Sequence, residues 1–399
     1  MKFSFLLFLP LFFIGLHLFI SAAEKNIIFF ITDDQSPTLG CYGDSIAKTP
    51  AIDSLARDGT LFLNAFATTA SCSASRSVVM SGLHNHANGQ YGHQHAFHKF
   101  SSYFNVIELS LPRNLAKAGY RTGHIGKYHV SPEEVFRFKT YLKGNARNAV
   151  QMAEQCREFI SAESDQPFFL YFATSDPHRG GGLDKSSKNK LKPDLFGNKA
   201  ERQSHDGVKE IFYEPSQVPI PAFLPDTSET REELAQYYQS VSRIDQGVAR
   251  LVEILKENGL YEKTLIVFTS DHGMAFAGGK TTVYEGGLLV PFVVRNPYEK
   301  KRGIRHQAMI SHIDIAPTLL DFADALDSGR NRPLHWEDPG ESFPIPKSKT
   351  PKDNRGTIDK LSSYHGKSWL GILGQAGAKH WENIFASHTF HEIQMYYPM

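Results

Sequence analysis

"NIIFFITDD", residues 26 to 34, is an uncharged apolar run closed by two adjacent carboxylates. A run without polar alternation fits a strand buried on both faces of a parallel sheet, and it stops where the aspartates begin. "TPAIDSLARDG" (49 to 59) follows with helix punctuation: Thr49 as N-cap, Pro50 at the first helical position and Gly59 as terminator. The alternation continues along the chain. "PFFLYFAT" (167 to 174), "TLIVFTSD" (264 to 271) and "PFVVR" (291 to 295) read as further buried strands. Helical patterns cover Leu111 to Ala118, Ala146 to Ser161, Glu229 to Asn258 and Ile315 to Ala325. This order predicts an α/β fold, a doubly wound, mostly parallel sheet flanked by helices, with ligands at the carboxyl ends of its strands. Polar stretches at about 179 to 228 and 327 to 360 read as loops or insertions.

Composition agrees with a large core. The 399 residues are 41% hydrophobic and 21% charged, enough for one large or two unequal domains. With 43 basic and 42 acidic residues the formal net charge is +1, and the charges are interspersed, so no nucleic-acid footprint is present. The first 23 residues carry Lys2, an apolar run and small residues at Ser21 and Ala23, the pattern of a cleaved export signal that leaves Glu24 as the mature start. The rival reading is an uncleaved membrane anchor, because the run approaches spanning length. An exported chain, periplasmic or secreted, is therefore expected, with membrane contact only if that segment stays attached. No Asn-x-Ser/Thr acceptor occurs, so glycan-dependent sorting to a lysosome has no support. Cys41, Cys72 and Cys156 allow at most one disulfide, with Cys72 expected to be the one left over.

Chemistry gathers at strand ends. Asp33 and Asp34 close the first strand, and Asp271 and His272 close "TLIVFTSD". Three carboxylates at one sheet edge repel one another unless a cation sits among them, and such a set favours Ca²⁺ or Mg²⁺; His272 adds a nitrogen donor. The alternative is an Asp cap on each following turn. In "ATTASCSASRSVVMSG" (67 to 82), Ser75 to Gly82 reads as a helix start, so Cys72 lies at or just before an electropositive helix N-terminus, with Arg76 one turn in. A thiolate nucleophile and an inert buried cysteine both fit that placement.

"CSASRSVVMSG" resembles the signature of the type I sulfatases of the alkaline phosphatase superfamily, Cys-x-Pro/Ala-x-Arg, in which the cysteine is oxidised to formylglycine. "ITDDQ", "GHIGKYHV", "SDPHR", "SDHG" and "GGKTTVYEGGLLVP" continue the likeness in the family's order. The departures are Ala74 where proline is commoner, Ser81 for threonine, Tyr128 for tryptophan and His272 where the most similar branch has asparagine.

The resemblance implies a sulfatase catalytic domain over residues 24–326, with 327–399 as a loop and the start of the C-terminal part, that subdomain being truncated or absent. It implies a metal site of Asp33, Asp34, Cys72, Asp271 and His272, formylglycine at Cys72 made by a formylglycine-generating enzyme, and Ca²⁺ or Mg²⁺ as cofactor. Arg76, Lys127 and Lys280 are then the cations facing sulfate. His129 assists the hydroxyl that releases it, and His178 contacts sulfate or protonates the leaving group. Asp176, His391 and Glu392 are expected to grip the sugar. "FLYFATSDPHR" and "HEIQMYYPM" are most similar to the branch that removes the N-sulfo group of heparan-type glucosamine, so a sulfated saccharide is the implied substrate. A phosphoryl-transfer relative would present Thr or Ser in place of Cys72. A silent carbohydrate-binding homologue would keep the thiol.

Overall fold

Each apolar run of the chain adds one strand to a single sheet. The computed structural model describes residues 25–95, 99–180, 196–199, 202–334 and 363–391. The export segment and Glu392 lie outside the described residues. Eight strands form the sheet: β1 (Asn26–Thr32), β2 (Thr60–Phe66), β3 (Arg121–Gly126), β4 (Thr140–Leu142), β5 (Phe168–Ala173), β6 (Thr264–Ser270), β7 (Phe292–Arg295) and β8 (Ile304–Ser311). Their order is β4-β3-β5-β1-β6-β7-β2-β8. A hairpin of β9 (Leu326–Asp327) and β10 (Arg332–Pro333) stands apart, inside a stretch expected to be loop.

The helices are α1 (Pro50–Arg57), α2 (Cys72–Ser81), α3 (Asn85–Asn88), α4 (Leu111–Lys117), α5 (Ala149–Gln155), α6 (Arg157–Ser161), α7 (Ser228–Glu257), α8 (Glu285–Leu288) and α9 (Ile315–Phe322). They cover both faces, and β1 shows why. Its alternate residues Ile27, Phe29 and Ile31 enter the core that includes α9, while Ile28 and Phe30 enter the core of α1, α5 and α7. All five are at most 1% exposed, and each contributes roughly 1.5–3 kcal/mol relative to an exposed position. Close packing of α7 on α5 depends on a missing side chain: a Cβ at Gly247 would come within 2.2 Å of Ala149 Cβ.

The sheet is mostly parallel as expected, with one reversed strand, and two helix expectations need correction. "PFVVR" runs antiparallel to both neighbours, β6 and β2. The chain between β6 and β7 contains only the single-turn α8 and folds back beside β6 instead of crossing the sheet face on a longer helix. The helix expected over Ala146 to Ser161 is two short helices, divided where the Cys156 N–H turns back to the carbonyls of Ala153 and Met152. Helix α2 begins at Cys72 rather than Ser75, with Ser71 as its extended N-cap residue. Strands β2, β3, β4 and β8 were not visible in the sequence, because glycine, histidine and exposed polar residues interrupt their apolar pattern. All three cysteines are free thiols, so the one disulfide their number allowed is not made. Among the described residues no helix is long and apolar enough to cross a membrane.

Candidate active site

Strands β1 and β6 are parallel neighbours, and Thr32 pairs with Ser270 at their ends. The next residues, Asp33 with Asp34 and Asp271 with His272, therefore emerge side by side. The Asp34 N–H donates to Asp271 Oδ1 at 3.0 Å, and Asp34 turns through a left-handed conformation at φ 64°. Strand β3 delivers Lys127 to the same edge. Gly126 takes φ 88° there, and a Cβ on it would lie 2.0 Å from the Ala173 carbonyl oxygen, so only glycine fits the turn that aims the lysine. Strand β5 delivers the Asp176 to His178 loop, and the β6–β7 connection carries Lys280.

Cys72 opens α2 against this edge. Its Sγ lies 3.4 Å from His272 Nε2 and 3.9 Å from Asp34 Oδ1, and the residue is fully buried. Burial alone would raise the thiol, yet Lys127, Lys280 and His272 outweigh it and hold Cys72 well below the usual thiol range. One turn later, Arg76 donates from Nε to Asp271 Oδ2 at 3.0 Å, and its Nη2 stands 3.6 Å from Asp33 Oδ1. Arg76 is 0% exposed, so it lies beneath the carboxylates and braces them; it does not open into the cleft as expected for a cation facing sulfate. Lys127 is paired with Asp33, and Lys280 Nζ reaches both oxygens of Asp34 at 2.8 and 3.0 Å.

The carboxylates show the strain of like charge. Burial and the neighbouring Asp33 push Asp271 up to about 7, against the pull of Arg76 and His272. Asp33 Oδ1 is buried without a hydrogen-bond partner. An orphaned carboxylate oxygen among three buried acids, beside an imidazole nitrogen, is a donor set that fits a hard divalent cation. Asp33, Asp34, Asp271 and His272 would hold it, with the position-72 side chain in the same cluster. The cap reading of these aspartates holds only locally: Asp271 Oδ1 also accepts the His272 N–H at 2.9 Å.

His178 Nε2 stands 3.8 Å from Asp34 Oδ2. Burial would lower its pKa, but Asp34 and Asp33 raise it. Asp176, expected to grip the sugar, is committed elsewhere. Its oxygens accept Arg147 Nη1 at 2.9 Å and Arg243 Nε at 2.8 Å, and the residue is 2% exposed. Arg147 Nη1 also donates to the His178 carbonyl at 2.7 Å, so this group positions the His178 loop.

His129, at φ 53°, meets residues that sequence reasoning missed. His95 Nδ1 and His93 Nδ1 lie 2.6 and 3.3 Å from His129 Nε2. Burial pushes His129 below the ordinary imidazole value. His391 joins them, 2.7 Å from His93 Nε2 and 3.3 Å from Ser71 Oγ. The spacing "HQH" at 93 to 95 was the available signal, but in an irregular loop it carries no periodicity. The other expected residues, Asp33, Asp34, Cys72, Arg76, Lys127, His129, His178, Asp271, His272 and Lys280, are gathered at one end of the sheet.

The comparisons with known proteins agree with this arrangement. The sulfatase family's sequence profile matches residues 25–325. The chain is 35% identical over 392 residues to human N-sulphoglucosamine sulphohydrolase, covering 95% of this chain and 71% of that protein. It is 30% identical over 311 residues to an ulvan-active sulfatase of Formosa agariphila, covering 75% of this chain and 54% of the other, about half its length. A solved structure described as a complex with its substrate D-glucosamine-2-N,6-O-disulfate shares the fold at a TM-score of 0.60 and 20% identity, covering 90% of this chain and 82% of that one. With the profile spanning the whole sheet and the relatives matching along most of the chain, the protein belongs to the sulfatase family, hydrolases of sulfate esters or sulfamates that generally work with a formylglycine and a divalent metal.

Proposed function

We propose that this chain hydrolyses the N-sulfo group of a terminal glucosamine in a heparan-type saccharide, with formylglycine made from Cys72 and Ca²⁺ as the resident cation. The observation that carries this reading is the 35% identity to N-sulphoglucosamine sulphohydrolase over 95% of the chain. Ca²⁺ is preferred to Mg²⁺ because three carboxylates with an imidazole suit a flexible shell better than a strict octahedron.

The chain's own residues then divide the work. When formylglycine and cation are in place, position 72 supplies the hydroxyl that attacks sulfur. Lys127 and Lys280, with side chains 15% and 11% exposed, bring fixed positive charge to the rim, where negative charge grows on the sulfuryl oxygens. Buried Arg76 holds Asp33 and Asp271 in place. His178, whose pKa Asp34 and Asp33 raise, gives its proton to the leaving nitrogen as the N–S bond breaks. His129, whose pKa burial lowers, accepts a proton from the hydroxyl that later releases sulfate. His391, 3.3 Å from Ser71 Oγ, meets the sugar in this reading. Export through the N-terminal segment belongs to the same reading, and Glu24 as the first residue of the mature protein would support it.

The test compares sulfate release from N-sulfoglucosamine and from glucosamine 6-sulfate, using protein co-expressed with a formylglycine-generating enzyme. Faster release from the sulfamate is expected. Preference for the 6-sulfate ester refutes the N-sulfo assignment and leaves the family unaffected. Mass analysis of the tryptic peptide that ends at Arg76 reports in parallel whether Cys72 has been converted.

A further inference from the structure

We propose that His93, His95 and His129 form a second metal site, for a borderline transition cation of the Zn²⁺ class, at the mouth of the cleft and separate in its ligands from the carboxylate site. One nitrogen of each ring contributes, and the three atoms lie within 4.8 Å of one another. The rings converge pairwise, with centroids 4.6 Å apart for His93 and His95, 4.9 Å for His93 and His129, and 4.7 Å for His95 and His129.

Hydrogen bonding accounts for only part of the cluster, since His93 Nδ1 also has Ser73 Oγ at 3.4 Å but still closes on His129. His129 Nε2 is approached by His95 Nδ1 at 2.6 Å and by His93 Nδ1 at 3.3 Å. A neutral imidazole nitrogen has one in-plane lone pair, so His129 Nε2 cannot accept well from both. A cation satisfies all three lone pairs at once. Zinc–nitrogen bonds of about 2.0–2.1 Å in a tetrahedron place ligand nitrogens roughly 3.4 Å apart. The His93–His129 separation already matches, and His95, which is exposed, can open its shorter contact by less than about 1 Å.

Two further observations favour ligation. His93 is 2% exposed, so its ring is held out of water at a fixed position. His93 Nε2 lies 2.7 Å from His391 Nδ1, the outer hydrogen bond that fixes a ligating imidazole's tautomer. Three imidazoles select Zn²⁺, Cu²⁺ or Ni²⁺ over Ca²⁺ and Mg²⁺, so the cleft sorts cations by donor chemistry. The functional consequence rests on the sulfatase reading: zinc on His129 removes the imidazole that accepts the proton, and sulfate release stops reversibly.

The experiment uses the full chain without a histidine tag, saturated with Ca²⁺, and titrates Zn²⁺ in competition with a chromogenic chelator. Co²⁺ serves as a spectroscopic substitute whose visible bands report four-coordinate nitrogen ligation. One zinc equivalent is expected beyond the Ca²⁺ site. His95→Gln should weaken zinc binding at least about 100-fold, since outer-shell losses alone cost up to that much, while keeping the parent's melting temperature. Zinc inhibition, scaled to each protein's own uninhibited rate, should be lost to the same extent and be reversed by chelator. Equal zinc affinity in parent and His95→Gln, no zinc equivalent, or zinc displaced by Ca²⁺ would each overturn the site. If zinc binds as described but the converted enzyme releases no sulfate from any substrate, the functional reading fails and the site stands.

Discussion

Replacing Arg243 by Met tests whether the buried Arg243–Asp176 pair, which Glu210 Oε2 flanks 3.5 Å from Arg243 Nη1, helps hold the loop that carries His178. Arg243 lies within α7, its side chain is 1% exposed, and it donates to Asp176 Oδ2, to Asn198 Oδ1 at 2.9 Å and to the Phe196 carbonyl at 3.2 Å. Methionine keeps most of the stem and removes the charge and every donor. Asp176 would then keep only Arg147, whose side chain is 26% exposed. Removing one partner of a buried pair costs about 3–5 kcal/mol, because the remaining carboxylate stays out of water. With a urea m-value of about 3 kcal/mol/M for a chain of this size, the midpoint should fall by roughly 1–1.7 M. Below that transition turnover should also fall, about 100-fold, because a displacement near 1 Å at His178 spoils proton delivery. The decisive assay is the double-mutant cycle with Asp176→Asn. If a stranded charge causes the loss, the double variant should be more stable than the summed single effects by at least about 2 kcal/mol. Additive effects, or a loss below about 1 kcal/mol for Arg243→Met alone, would show that the pair does not hold the loop.

Cys72→Ser should lose at least about three orders of magnitude in turnover, since an ordinary hydroxyl cannot regenerate itself as the hydrated aldehyde does; sustained multiple turnover would contradict the formylglycine route. Ca²⁺ at 100 times its Kd should stabilise the folded chain by about 3 kcal/mol, and Asp271→Asn should abolish that gain in a thermal scan; a chelator that changes neither melting nor activity would remove the carboxylate metal site. Acid stability should depend on His124, packed among Tyr128, Phe138, Tyr141 and Tyr171 and pushed by burial from 6.5 down to about 4. A folded pKa below the unfolded value gives stability that is present above pH 6.5 and lost as pH falls toward 4. His124→Phe should therefore make the acid limb shallower by about 3 kcal/mol, and parallel pH curves for the two proteins would refute this.

The residues the sequence made legible are those whose role follows from where an element ends. "NIIFFIT" and "TLIVFTS" are apolar enough to be central strands, and each stops at an aspartate, so Asp33, Asp34, Asp271 and His272 had to appear at strand ends. Cys72 and Arg76 are four apart, one helical turn, so α2 alone sets their relation. Burial periodicity and turn chemistry are local, and a single chain carries them without its partners. Convergence is not local. That β1 and β6 are neighbours depends on the sheet order, and the antiparallel run of β7 depends on how the connection after β6 folds back on the sheet. Arg243 lies in a helix where a cation would be expected to face water, and only packing against Asp176 explains its burial. His93, His95, His129 and His391 come from three separate loops, and their meeting is decided by how those loops fold over the sheet edge, a distance relation that residue spacing along the chain does not contain.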